Sequence, residues 1–414
     1  MIALRRGLLA AFVVGLGVSI TLAEGALIGL TLLWLWRLRD PEVRRGQAWP
    51  LWQPVLAFAG ATILSALVSG HVAASLAASK TLLLMAALYV TADALEDAQE
   101  GDRFLSWLAL AAAGAALAGL IQIAACPTPE PAGGLARWFF HRCDRARAFF
   151  SIYMTLAGVL NIVLLATLPR VLPDGFRAWS APVWLLTAIG LAVTYTRGAW
   201  IGLGAGAAAL LPMSRRGRLA LLAGLVLLPV IFLVGPRDLS HRFRSMFDPD
   251  EAGIKERVYM WRSGTAMWRE HSVLGWGPGG VKREYSRYAL PEAFKKRTGH
   301  VHNTPLQILV ERGVLGLAAW LAIWIAFYCR AIGILRALDA SRMRERALVA
   351  GSVAAVTGFL VAGLSEYNFG DSEVVMVAWA VMALPWAAAR KSGSGLELRH
   401  RNRILVKTTG GEMS

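Results

Sequence analysis

A chain of 414 residues that is 56% hydrophobic, with a mean hydropathy of +0.50, lies above the ~45–50% apolar content of soluble domains, which excludes an ordinary soluble fold. Its apolar runs are long enough to cross ~30 Å of hydrocarbon as helices and lack the alternation of a β-barrel, so the fold class is an all-α polytopic membrane protein. A formal net charge of +16 would suggest nucleic acid in a soluble protein; here it suggests membrane lipids and loops that meet anions, with no nucleic-acid partner.

Taken in chain order, apolar windows predict about twelve spans, near 7–22, 24–36, 51–69, 75–94, 104–124, 148–169, 179–196, 199–213, 218–234, 314–333, 346–364 and 372–389. The first has the short apolar core of a signal peptide after Arg5 and Arg6, but the second follows at once and no clean cleavage site appears, so it reads as uncleaved. Arg37, Arg39, Arg44 and Arg45, then Arg215, Arg216 and Arg218, then Arg330, Arg336, Arg342, Arg344 and Arg346 fall on the same side as Arg5, with the basic tail from Arg390. That side is expected to be cytoplasmic, in a bacterial inner membrane with both termini inside. The organisation follows: residues 1–235 hold nine spans and a short external loop at 126–147, 236–313 form a large, helical periplasmic loop, 314–389 hold three spans, and 390–414 form a cytoplasmic tail.

The two external segments are basic against the usual asymmetry. They carry Arg137, Arg142, Arg145, Arg147, Arg242, Lys255, Arg257, Arg262, Lys282, Arg283 and Lys295 to Arg297. Either these residues are simply solvated, or they meet something anionic at the membrane surface. Cys126 and Cys143 share the first external segment, where an oxidising compartment favours a disulfide. Cys329 has no evident partner and reads as a small core residue.

The chemistry-bearing stretch is Gly299-His300-Val301-His302-Asn303-Thr304-Pro305-Leu306-Gln307. Thr304 as N-cap, Pro305 at the first position and Gln307 as capping-box partner would start a helix that Gly313 ends. His302 and Asn303 then precede a helix N-terminus, a place that attracts anions and disfavours imidazole protonation, so His302 is either a general base or an interfacial histidine bonded to backbone. His300 and His302 lack a third ligand nearby in sequence, so no metal is expected. In Thr194-Tyr195-Thr196-Arg197-Gly198-Ala199-Trp200, Arg197 lies in a turn with almost no loop to escape into. It either snorkels or faces a polar cavity, and Lys80 poses the same choice. Arg257, Trp261, Thr265 and Trp268 recur at helical steps, as on an amphipathic helix lying along the interface. Nucleotide-binding, serine-nucleophile and zinc-protease signatures are absent from the sequence.

His302-Asn303-x-x-Leu306 with Glu311-x-Gly313, preceded by Thr196-Arg197-Gly198-Ala199-Trp200 and Leu274-Gly275-Trp276-Gly277-Pro278-Gly279, resembles the O-antigen ligase family, and the expected span layout looks like that family's over nearly the whole chain. The resemblance implies a glycosyltransferase that moves O-antigen from undecaprenyl diphosphate to lipid A-core on the periplasmic face, with no cofactor. It implies catalytic roles for His302, Arg197 and Arg257, with Arg262 one turn away as the rival to Arg257. Lys80, Arg142, Arg145, Arg147, Arg262 and Asn303 would hold the diphosphate. The related polymerase, which extends lipid-linked glycan, is the alternative, and a lipid-glycan transporter is a third.

Overall fold

The computed structural model describes residues 2–127, 131, 133–141, 143–172, 180–213 and 217–390. Arg142, Arg215, Arg216 and the tail beyond Arg390 lie outside the described residues. Every regular element among the described residues is helical. Large aliphatic side chains such as Leu32, Leu56, Leu110, Val226 and Ile325 stand exposed on the flanks of the bundle, where only lipid would leave them without cost. The chain is a helical membrane protein.

Each of the twelve predicted segments is helical, but fewer are long enough to be full spans. Among the described residues seven helices pass by length and apolarity: Ile20–Arg37, Val72–Ala94, Ala98–Ala124, Tyr153–Val171, Thr304–Ala337, Met343–Ala362 and Ser372–Ala389. An eighth arises if Arg218–Val234 and Arg237–Arg244, bent by 117° at their junction, count as one. The shortfall is geometric. Ala181–Ala192 has 12 residues and Arg197–Ala209 has 13, and at 1.5 Å per residue a helix of that size covers only about 18–20 Å. Ile2–Val18 and Trp52–Val68 have 17 each.

Helices Tyr153–Val171, Arg197–Ala209 and Met343–Ala362 form the centre. Glycine lets them approach: a Cβ on Gly351 would lie 2.1 Å from the Ala166 carbonyl oxygen, and one on Gly206 would lie 2.6 Å from that of Ala354. At one end of the bundle, Arg5 and Arg37 both reach Asp93, and Arg390 donates to the carbonyls of Ala92 and Leu95. Arg6 pairs with Glu100 at 2.9 Å, and buried Arg170 pairs with Asp102 at 2.9 Å. Arg5, Arg6 and Arg37, which charge counting placed on one side, therefore gather at one end with acidic partners, and Arg390 joins them through backbone carbonyls. Helix Ala98–Ala124 starts there and, at 27 residues, carries the chain to the opposite end.

At that opposite end Cys126 and Cys143 are joined by a disulfide, with their Cα atoms 6.0 Å apart. The loop it closes is held further by Gln122, whose side-chain oxygen accepts the N–H groups of Arg147 and Ala148. The segment after Gly235 builds a small core of its own from Met260, Met267, Val281, Tyr285, Val301 and Val310. This corrects the reading of helix Ala252–Glu270 as an interfacial amphipath. Its buried stripe is Glu256, Met260, Ser263, Gly264 and Met267, packed on protein, while Arg257 and Trp261 occupy the neighbouring, half-buried face. Cys329 is exposed on the outer surface of its helix, not a core residue as its sequence context suggested.

Candidate functional site

The site forms where the chain enters helix Thr304–Ala337. Asn303, not Thr304, is the N-cap: its side-chain oxygen accepts the Leu306 N–H at 2.8 Å. The expected capping box does not form because both of its members have other partners. The Thr304 hydroxyl lies 2.9 Å from the Glu366 carbonyl and 3.0 Å from Asn368 Oδ1, and Gln307 accepts from Val301 N–H and donates to Glu311, each at 2.9 Å. Asn303 also donates to the Leu364 carbonyl at 2.8 Å, and Thr304 N–H to Gly363 at 2.7 Å. Four bonds thus lock the start of this helix onto the turn 363–368.

That lock sets Glu366 against His302. One carboxylate oxygen of Glu366 lies 2.9 Å from His302 Nδ1, and the other accepts from Arg257. A carboxylate can only accept, so the proton in the first bond belongs to Nδ1, and in the neutral imidazole it is Nε2 that carries the lone pair. His302 adopts φ 48°, left-handed backbone that a non-glycine residue enters at a cost of about 1–3 kcal/mol. It persists because buried Val301 before it and capped Asn303 after it are both fixed. Its neighbour His300 packs edge-on, with ring centroids 4.3 Å apart. Burial, then the proximity of His302, pushes the His300 imidazole down to about 4, so it is neutral at neutral pH.

The predicted residues fall into groups. Arg257 joins His302 through Glu366, whereas Arg262, five residues along, is exposed. Apart from the bond to Glu366, the N–H groups of Arg257 have no partner among the described residues. Arg197 differs. It is buried, with Nη1 2.9 Å from the Ser245 carbonyl and Nη2 3.0 Å from Glu251. Glu251 also takes Arg242 at 3.3 Å and N-caps the helix that carries Arg257. Burial alone would raise the Glu251 carboxyl, but the bond and charge of Arg197, with Arg242 behind it, hold it below the usual range. Arg197 therefore positions the Arg257 helix, and Arg197→Lys, which cannot span Ser245 and Glu251 together, is expected to lower activity about tenfold and melting temperature by several degrees. Unchanged melting with lost activity would point to direct ligand contact instead.

Arg145 lies over the Tyr153 ring at 4.6 Å and close enough to Arg242 to repel it, as does Arg197. These three form a second basic cluster around Glu251. The remaining candidates stand elsewhere. Arg147 donates to the carbonyls of Trp138, Phe139, His141 and Phe150, stapling its own loop. Lys80 is exposed in the 3-10 stretch Ser79–Met85, and contacts none of His302, Arg197 or Arg257 among the described residues. Arg142 lies outside the described residues. Asn303 has its side chain committed to backbone.

The Gly275–Gly280 segment is structural. Gly275, at φ 70°, sits where a Cβ would lie 2.4 Å from the Glu311 backbone, and Trp276 N–H bonds the Val310 carbonyl at 3.0 Å. The Glu311 carboxylate in turn accepts from Gly279 and Val281 N–H and from Arg312. This clamp holds the first turns of helix Thr304–Ala337, and Gly313, at φ 62°, then breaks them from the membrane-spanning remainder.

Sequence reasoning missed Glu366 and Glu251, and weighed His300 only as a metal ligand. Glu366 carried a usable signal: it lies in a turn of a few residues between two apolar stretches, the same situation that singled out Arg197. A cavity of about 170 Å³ opens beside the site, its wall including Thr196, His300, Glu366, Tyr367 and Asp371. It adjoins both the Arg197 turn and the His302 turn.

Residues 182–321 match the family model for O-antigen ligases. No curated protein matches the chain. The matched stretch contains Arg197, Glu251, Arg257, His300 and His302, while Glu366, which ties Arg257 to His302, follows it. Through that stretch the chain is similar to the O-antigen ligase family.

Proposed function

We propose that this protein is a lipopolysaccharide ligase of the bacterial inner membrane, transferring O-antigen from undecaprenyl diphosphate to a sugar hydroxyl of lipid A-core at the periplasmic face. The observation that carries the reading is the Arg257–Glu366–His302 chain, a base and a cation held by one carboxylate. His302 Nε2 takes the acceptor proton while the hydroxyl oxygen attacks the anomeric carbon. The bond from that carbon to the diphosphate breaks, the diphosphate leaves with the electron pair, and the configuration inverts. Arg257, with donors unengaged among the described residues, neutralises the leaving charge as it develops. Glu366 touches neither substrate in this scheme and acts by fixing the Nδ1–H tautomer and stabilising imidazolium.

Purified protein with lipid-linked donor and lipid A-core acceptor tests the reaction. Extension of the glycan on its lipid carrier, with none reaching lipid A-core, would instead assign the polymerase reaction. Donor binding without any transfer would overturn both. Glu366→Gln keeps the shape and an acceptor but removes the charge beside His302 and Arg257. A charged hydrogen bond contributes about 1.5–3 kcal/mol, so kcat should fall roughly ten- to a hundredfold with little change in either KM. A rise in KM alone would place Glu366 on a substrate.

A further inference from the structure

The cavity beside His302 has the wrong sign for the diphosphate. Its wall contains two carboxylates, Glu366 and Asp371, and its imidazole, His300, is neutral at neutral pH. The arginines lie outside its lining: Arg257 behind Glu366, and Arg197 and Arg242 on Glu251. Charge is thus segregated around one catalytic histidine, cations where a phosphate would go and hydrogen-bond acceptors in the hollow next to it.

The hollow mixes surfaces. Ile152, Met154 and Val374 supply apolar wall, Tyr367 an aromatic edge, and Thr196, Asn368 and the two carboxylates supply polar atoms. His300 Nδ1 is buried with no partner among the described residues. A buried imidazole nitrogen without a partner costs about 1–3 kcal/mol, which a ligand hydroxyl would relieve. At about 170 Å³ the space is below the ~300–1,000 Å³ of pockets that take drug-sized molecules. It suits one ring with an apolar C–H face and a hydroxyl edge.

We infer that this cavity is a subsite for a single neutral sugar residue, held by hydroxyl bonds to Asp371 and His300 and stacked against Met154 and Tyr367, with the diphosphate excluded to the arginine side. The inference rests on the transfer reaction proposed above. Two sugars have the required chemistry: the acceptor residue that presents the attacking hydroxyl, and the donor residue next to the diphosphate.

Met154 lies in the first turn of helix Tyr153–Val171, half-buried in the cavity wall and outside the Arg257–Glu366–His302 chain. Met154→Trp should fill the hollow, and Met154→Leu should leave it open. Initial rates for purified protein, with donor and acceptor varied separately, should show one KM raised about tenfold or more in Met154→Trp relative to Met154→Leu, which keeps an apolar wall of similar volume. A shift in acceptor KM assigns the acceptor sugar, and a shift in donor KM assigns the donor sugar. A folded Met154→Trp with neither KM altered beyond about twofold overturns the subsite. If that variant does not fold, Thr196→Val, which removes a wall hydroxyl at constant shape, is held to the same criterion. Wild-type protein that transfers nothing would overturn the reaction itself, an outcome distinct from loss of the subsite alone.

Discussion

Replacing His302 with Ala is expected to lower transfer by about 10²–10⁴-fold, the range over which a positioned general base acts, while membrane insertion and melting temperature stay near wild type. Both halves of the expectation come from the geometry. Nδ1 is bound to Glu366, so Nε2 is the atom left for an acceptor hydroxyl. The side chain is mostly buried, yet its removal frees a left-handed backbone position from strain, which offsets part of the lost contact. His302→Gln is the sharper variant. It retains hydrogen bonding but no base of useful strength, so it should be nearly as inactive as Ala. Undiminished polysaccharide on lipid A-core in cells carrying either variant as the sole copy would remove His302 from the mechanism. Loss of the protein from the membrane would instead show that the locked turn, not the base, was disturbed.

The parts of this molecule that were legible in the sequence are those set by local chemistry. Hydropathy located the apolar helices of the bundle because lipid forces backbone groups to bond within a segment, and charge counting found the arginines that cluster with Asp93 and Glu96. It overstated the number of full spans, because an apolar run predicts burial in something apolar without distinguishing lipid from protein. Arg197–Ala209, shielded by Met343–Ala362 and Tyr153–Val171, is such a case. His302, Arg257 and Arg197 stood out by residue type and setting, but their connections could not. Glu366 is 64 residues from His302 and 109 from Arg257, and pairing at that distance depends on how the turn 363–368 docks on Asn303 and Thr304. The capping box failed for the same reason: Thr304 and Gln307 satisfy the local pattern, yet tertiary partners claim both side chains.

Arg257 gives the second large effect, and its interpretation depends on Glu366. Arg257→Ala is expected to lower kcat/KM by about 10²–10³-fold, comparable with loss of one preorganised donor to developing negative charge. Two routes lead to that loss. Arg257 acts on the leaving diphosphate through N–H groups that no described residue engages, or it acts only by holding Glu366 against His302. Arg257→Ala combined with Glu366→Gln separates them. If Arg257 worked solely through Glu366, the double variant would be no worse than the more damaged single one. If Arg257 grips the donor, its loss multiplies the loss from Glu366→Gln, apart from the coupling expected of residues in direct contact. The second pattern is expected, with the Arg257 effect falling mainly on kcat because leaving-group charge exists in the transition state and not in the bound donor. Arg257→Lys should recover only a small part of the loss, since an ammonium that satisfies Glu366 has no planar fork left to offer a phosphate. Full rescue by Lys would reduce Arg257 to a charge that steadies Glu366, and the leaving group would then need its cation from the cluster of Arg145, Arg197 and Arg242 on the other side of Glu251.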